Sequence, residues 1–89
     1  MNLTSRKVQP AGPSLRSRYD ALIRRYGALP LPIATKSWRG INMGQRLLRL
    51  HRDLDKNVSP ALIGTEILSL EQSMGVLEAA AKVWKEEKL

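Results

Sequence analysis

The chain has 89 residues, with fifteen Lys and Arg against eight Asp and Glu, one histidine and no cysteine. That length allows a single domain with a marginal core, because a chain of this size buries only about 60% of its unfolded surface. Without cysteine there are no disulfides, and with one histidine there is no zinc site of the Cys/His kind.

Aromatic residues make up 4% of the chain (Tyr19, Tyr26, Trp38 and Trp84), and phenylalanine is absent. The core must therefore come from Leu, Ile, Val, Met and Ala, a composition that suits helices better than sheets. The expected fold class is all-α. It comprises a basic extended N-terminal arm, a short helix, and an antiparallel helical hairpin with a long C-terminal helix. No run approaches the apolar length of a membrane-spanning helix.

Charge is unevenly spread. Residues 1–52 hold eleven Lys and Arg against one acid, Asp20, for +10; residues 53–89 hold four lysines against seven acids, for −3; together they give +7. Such a split predicts that the first half meets something anionic, with nucleic acid the first candidate. An acidic protein surface or an anionic headgroup is the alternative.

Residues 1–14 read as an extended arm, since Pro10, Gly12 and Pro13 oppose a helix. Residues 1–25 carry six Lys and Arg, one acid and several Ser and Thr, a composition like that of a mitochondrial transit peptide. A basic arm retained on the protein is the competing reading and the preferred one.

The first helix is expected over 15–26. Ser14 is a suitable N-cap, and Leu15, Tyr19, Leu22, Ile23 and Tyr26 share one face. Gly27 is placed for a left-handed C′ position. Residues 28–37 read as a semi-rigid linker around Pro30 and Pro32, with Leu29, Leu31 and Ile33 lying along a groove. Trp38, beside Arg39, is expected in the core under the hairpin, with stacking on a base as the alternative.

A second helix is expected over 42–54, with Asn42 as N-cap and Gln45 completing a capping box. Its seam is Met43, Leu47, Leu50 and Leu54. Gly44 suggests close approach of another backbone. After a turn with Asn57 in a left-handed position, Ser59-Pro60 marks the start of a third helix, expected over 60–87. There Ile63, Ile67, Leu70, Met74, Leu77, Ala81 and Trp84 recur at spacings of 4, 3, 4, 3, 4 and 3, a heptad seam of three repeats. Glu78 and Lys82 form a favourable i, i+4 pair. Gly64 and Gly75 share a face suited to close helix packing.

At 1.5 Å per residue the third helix is roughly 40 Å long and the second roughly 20 Å. The second helix is therefore expected to cover only about half of the seam, and the rest (Leu77, Ala81, Trp84) to pack on the first helix or on another molecule, with Ile63, Ile67, Leu70, Met74, Leu77 and Trp84 as the residues expected to meet a protein partner. Self-association through the same seam is the weaker possibility.

No catalytic constellation is visible. His51 has no partner nucleophile, Asp53 and Asp55 suit a turn or salt bridge, and Gly40 and Gly44 fit no phosphate-binding loop. No enzyme, cofactor or metal is expected. The candidate anion-binding residues are Arg6, Lys7, Arg16, Arg18, Arg24, Arg25, Arg39, Arg46, Arg49 and Arg52. A DNA-reading helix-turn-helix over 46–70 is opposed by Glu66 and Glu71 on the would-be recognition helix. The segment Leu47-Leu48-Arg49, with Leu50-His51-Arg52 after it, resembles the Leu-Tyr-Arg motif of small mitochondrial assembly factors, which are basic three-helix adaptors. Leu48 stands where that motif has tyrosine, and the motif lies mid-chain instead of in the first helix.

Two functional expectations result. The first is an accessory subunit of a large ribonucleoprotein such as a mitochondrial ribosome, with the basic half on RNA and the C-terminal helix on protein. The second is a small helical adaptor or assembly factor of the mitochondrial respiratory-complex type that binds a protein partner. The expected location is the mitochondrial matrix, otherwise the cytoplasm.

Overall fold

The computed structural model describes residues 14–56 and 58–88. The expected arm, with Arg6 and Lys7, and the expected left-handed Asn57 lie outside the described residues. Those residues form four helices and no strand: α1 Leu15–Gly27, α2 Leu31–Thr35, α3 Trp38–Leu54 and α4 Pro60–Lys88. The fold class is all-α, and none of these helices is long and apolar enough to cross a membrane.

Ser14 caps α1 as its sequence position suggests, its Oγ accepting from the Ser17 N–H at 3.1 Å. The helix ends differently from expectation. Gly27 stays helical, and the exit is made by Ala28, whose N–H donates to the carbonyls of Arg24 and Arg25. The last turn tightens and needs no left-handed residue.

The proline-rich linker is also more ordered than expected. Pro30 itself is extended, at φ −57° and ψ 141°, but the five residues after it wind into α2. Proline is compatible with the first turn of a helix because the N–H it lacks has no intrahelical partner there. Pro30 then supplies the accepting carbonyl for the N–H groups of Ile33 and Ala34. Leu29 is buried and Ile33 half-buried, while Leu31 points out.

α3 starts four residues before the expected Asn42. Ser37 is the cap, accepting from Gly40 N–H at 3.0 Å and donating through its hydroxyl to the Ile33 carbonyl. One serine thus closes α2 and opens α3. The early start makes Trp38 the first residue of α3 and leaves it 77% exposed, not in the core.

Helix directions follow from cross-helix contacts. Arg18 meets Glu71 and Arg25 meets Glu78, the same offset of 53 residues, so α1 runs parallel to α4. Tyr19 meets Leu47 and Tyr26 meets Gly40, so α3 runs antiparallel to α1 and hence to α4. The core is the α4 seam from Ile63 to Ala81 with Tyr19, Leu22, Met43, Leu47 and Leu50. Burying each large aliphatic side chain contributes about 1.5–3 kcal/mol.

The seam therefore does not outrun its cover. Ile63, Ile67, Leu70, Met74 and Leu77 are all buried within the chain, and Trp84 is half-buried. The expected protein interface at these residues is corrected. A longer α3 reaches Leu77, and α1 supplies the second wall, one of the two covers expected for the rest of the seam.

Two glycines have specific reasons. A Cβ on Gly40 would sit 2.6 Å from the Ala34 carbonyl oxygen and in collision with that of Ile33. A Cβ on Gly44 would sit 2.7 Å from the Tyr26 hydroxyl. The close backbone approach expected at Gly44 thus occurs at Gly40, and Gly44 makes room for a side chain. Gly64 and Gly75 do not carry tight helix contacts; around Gly75 nothing lies within 4 Å of the added carbon.

These environments predict opposite signs for one substitution. Gly40→Ala is expected to lower stability by about 2 kcal/mol, because backbone must move. Gly75→Ala is expected to raise it by about 0.5–1 kcal/mol through helix propensity alone. Thermal denaturation followed by circular dichroism distinguishes them, at roughly 4–8 °C per kcal/mol. Equal shifts for the two variants would contradict the packing of α2 on α3.

Candidate nucleic-acid interface

The ten cations expected to meet an anionic surface divide into three groups. Arg6 and Lys7 lie outside the described residues. Arg16, Arg18, Arg25 and Arg46 are held by acids of the chain. Arg24, Arg39, Arg49 and Arg52 are exposed and make no ion pair among the described residues.

The paired arginines are structural. Arg18 donates to Glu71 through Nε at 3.1 Å and Nη2 at 2.6 Å; Arg25 donates to Glu78 through Nε at 2.8 Å and Nη2 at 2.6 Å. Both are two-bond forks, the strong form of an Arg–carboxylate contact. Arg46 bridges Glu66 and Ser69. Arg16 reaches Asp55 at 3.3 Å on an exposed edge. The register of α4 places a carboxylate within reach of each of Arg18, Arg25 and Arg46, so these three of the expected anion-binding cations are paired within the chain, and Arg16 pairs with Asp55 at the end of α3. Glu78 pairs across to Arg25 instead of along its own helix to Lys82.

The forks move the titrations. Hydrogen bonding from Arg18 holds the Glu71 carboxyl below the usual glutamate range, and Arg25 does the same for Glu78. The two guanidinium groups are raised in turn, chiefly by the same hydrogen bonds. Burial pushes the Tyr19 phenol up.

The tyrosines act as pins, a role the periodicity of α1 did not reveal. Tyr19 Oη donates to the Leu47 carbonyl at 3.3 Å. Tyr26 Oη lies 3.0 Å from the carbonyls of both Ala34 and Gly40, and its single proton serves one of them at a time. One hydroxyl so ties α1 to α2 and α3. An aromatic residue facing a glycine on the next helix was the available signal.

With α1 and α4 fixed, α3 presents three stripes. Gly40, Met43, Leu47, Leu50 and Leu54 face the core. Gly44, Leu48 and His51 line the α1 side, where Ile23, Tyr19 and Tyr26 complete an open groove of about 340 Å³. Trp38, Asn42, Gln45, Arg49 and Arg52 recur at spacings of 4, 3, 4 and 3 on the outer side; all are exposed except Asn42, which is half-buried. This third stripe spans roughly 21 Å along the helix. Arg39 and Lys36 flank its Trp38 end.

The stripe offers cationic forks, two amides and one indole face, and among the described residues no group of His, Cys, Asp or Glu is placed to hold a metal. Chemically it suits phosphate contacts from arginine, hydrogen bonds from Asn42 and Gln45, and stacking on the ring.

The forks predict how stability depends on pH. Glu71 and Glu78 titrate lower in the folded chain than in the unfolded one, so their contribution is complete above the ordinary glutamate range and is lost as pH falls through the folded values. Their side chains are 28% and 40% exposed, which limits each pair to about 1 kcal/mol. Urea denaturation between pH 7 and pH 3 is expected to show Glu71→Gln/Glu78→Gln losing less stability than the parent over that span. Parallel curves for variant and parent would refute the coupling.

No family model, curated protein or solved structure is significantly similar to this chain.

Proposed function

We propose that this chain is a non-enzymatic accessory subunit of a large assembly, a ribonucleoprotein such as a mitochondrial ribosome, and that it meets RNA through the outer stripe of α3. The observation that carries the reading is the sorting of cations. Arg18, Arg25 and Arg46 are paired with carboxylates of α4, while Arg39 beside Trp38, and Arg49 and Arg52 further along α3, stand exposed. Structural charge and binding charge occupy different faces. The transit-peptide-like composition of residues 1–25 supports the mitochondrial matrix as the location.

Protein contact in such an assembly fits the back of α4. Thr65, Leu68, Gln72, Val76, Ala79 and Val83 line one exposed face and none is charged. A helix apolar on more than its core side is ordinarily covered by another element. This face replaces the seam as the surface for a neighbouring subunit.

The adaptor reading has its own observation, the groove between α1 and α3. Leu48 and Ile23 are exposed along it. A contiguous apolar surface of this kind marks a site of protein contact. A native complex that survives nuclease treatment would favour that reading.

Binding of the full chain to structured RNA across a salt series tests the RNA reading. Log affinity is expected to fall linearly with log salt. Arg49→Ala/Arg52→Ala should flatten the slope by about 0.7–0.9 per arginine. Arg18→Ala should leave the slope alone and lower the melting temperature. A flat salt response in the parent chain would end the RNA reading.

A further inference from the structure

We infer that Trp38 is a stacking platform for an unpaired base, so that the nucleic acid taken by the α3 stripe is a looped or single-stranded segment and not a continuous duplex. The inference rests on the RNA reading of that stripe and adds the class of RNA.

Of the four aromatic rings, Tyr19 is buried, and Tyr26 and Trp84 are half-buried; Trp38 is 77% exposed. An indole is the largest apolar side chain available, and this core is built almost wholly from aliphatic residues. A ring left in water at the first position of a capped helix is a rigid, accessible face. Its backbone is fixed by the Ser37 cap, and Lys36 and Arg39 on either side are exposed cations.

The surroundings decide the mode of contact. Beside the ring lies a recess lined by Arg39, Asn42, Met43, Arg46, Ser73 and Leu77, with a volume of about 50 Å³. That is room for a water or two. It is too small to swallow a nucleobase, so a base must lie over the ring instead of entering edge-on. One of its walls is already committed, since Arg46 is bonded to Glu66 and Ser69. Stacking on an aromatic face is tolerant of base identity.

Bases inside a duplex already stack on their neighbours and offer the indole nothing but the rim of the grooves. Unpaired bases are free to turn onto an aromatic side chain, the mode by which single-stranded RNA is ordinarily held. Arg49 and Arg52 lie on the same stripe roughly 17–21 Å away along the helix, where they would hold phosphates of the same strand. Placement of the indole at one end and the cations at the other suits an extended strand along α3.

The experiment uses the full chain carrying Trp84→Phe, so that emission reports Trp38 alone. It is titrated with an RNA hairpin bearing an eight-nucleotide loop, with a fully paired RNA duplex of equal phosphate number, and with a DNA hairpin bearing the same loop. The looped RNA is expected to quench Trp38 and to bind about tenfold tighter than the duplex, within the range stacking supplies. Trp38→Ala should abolish that preference and leave the salt slope unchanged, while Trp38→Phe, read by competition, should keep most of it. Equal binding by the looped DNA supports stacking on an unpaired nucleotide and removes the 2′-hydroxyl as a recognition element. Loop and duplex bound alike, with Trp38 emission unmoved and a normal salt slope, overturns the inference and leaves the RNA reading intact. Absence of any RNA binding at low salt overturns both, and points to a protein as the occupant of the stripe.

Discussion

Everything in this fold follows from the need to cover one long apolar seam on α4 with two shorter helices. α4 has 29 residues, α3 has 17 and α1 has 13. At 1.5 Å per residue these are roughly 43, 26 and 20 Å. Neither short helix reaches the length of the seam, but both stand against it, one on each flank. α1 runs parallel to α4 and α3 antiparallel to both. That arrangement requires a tight reversal between α1 and α3, which Pro30, α2 and the doubly bonded Ser37 provide. The buried Leu29 lies in the same reversal, close to Ala81, so the turn itself seals the far end of the seam.

The parallel relation of α1 and α4 also decides where the charge goes. Two arginines seven residues apart on one helix meet two glutamates seven residues apart on the other, in constant register. Pairing of this kind adds modest energy, since the groups are partly solvated. Its larger effect is on register: a slip of one turn would leave both carboxylates facing carbon. With Glu66 on Arg46 as well, the acids of the middle of α4 are consumed at the edges of the core. The back of α4 is left neutral and the front of α3 basic. The opposite charges of the two halves of the chain are thus partly an internal lock.

Much of this was legible in the residues, and the failures have physical causes. The seam from Ile63 to Ala81 is visible because heptad spacing needs no tertiary knowledge, and the Ser14 and Ser59-Pro60 starts are local chemistry. The excess of seam follows from starting α3 at Asn42, when Ser37 is an equally good cap five residues earlier. α1 was read correctly as a helix, but its direction against α4 depends on the intervening reversal, and prolines there were read as extended backbone. Trp38 beside Arg39 reads as core under the hairpin, with an exposed stacking ring as the alternative, and only the position of the Ser37 cap shows that it opens a helix facing water. The fate of the arginines could not be settled from composition, since Arg18 and Arg49 look alike until their neighbours are known. The matched seven-residue spacings, 18 and 25 against 71 and 78, were the one available signal.

The sorting of arginines bears on how function should be weighed. A basic protein invites the inference that its cations bind an anion, yet here four of the eight described candidates are held by the chain's own carboxylates. Two of those four, Arg18 and Arg25, hold α4 through two-bond forks, and moving them to a phosphate would cost the register of α4. The remaining ones on α3 have no such commitment, and they are ordered along a helix clamped on both sides. On a clamped helix the backbone positions of Trp38, Arg49 and Arg52 keep a fixed order and spacing along α3. The same helix carries an apolar stripe on its α1 side, so its two solvent-facing sides differ in chemistry because they follow from one helical period set against two different neighbours.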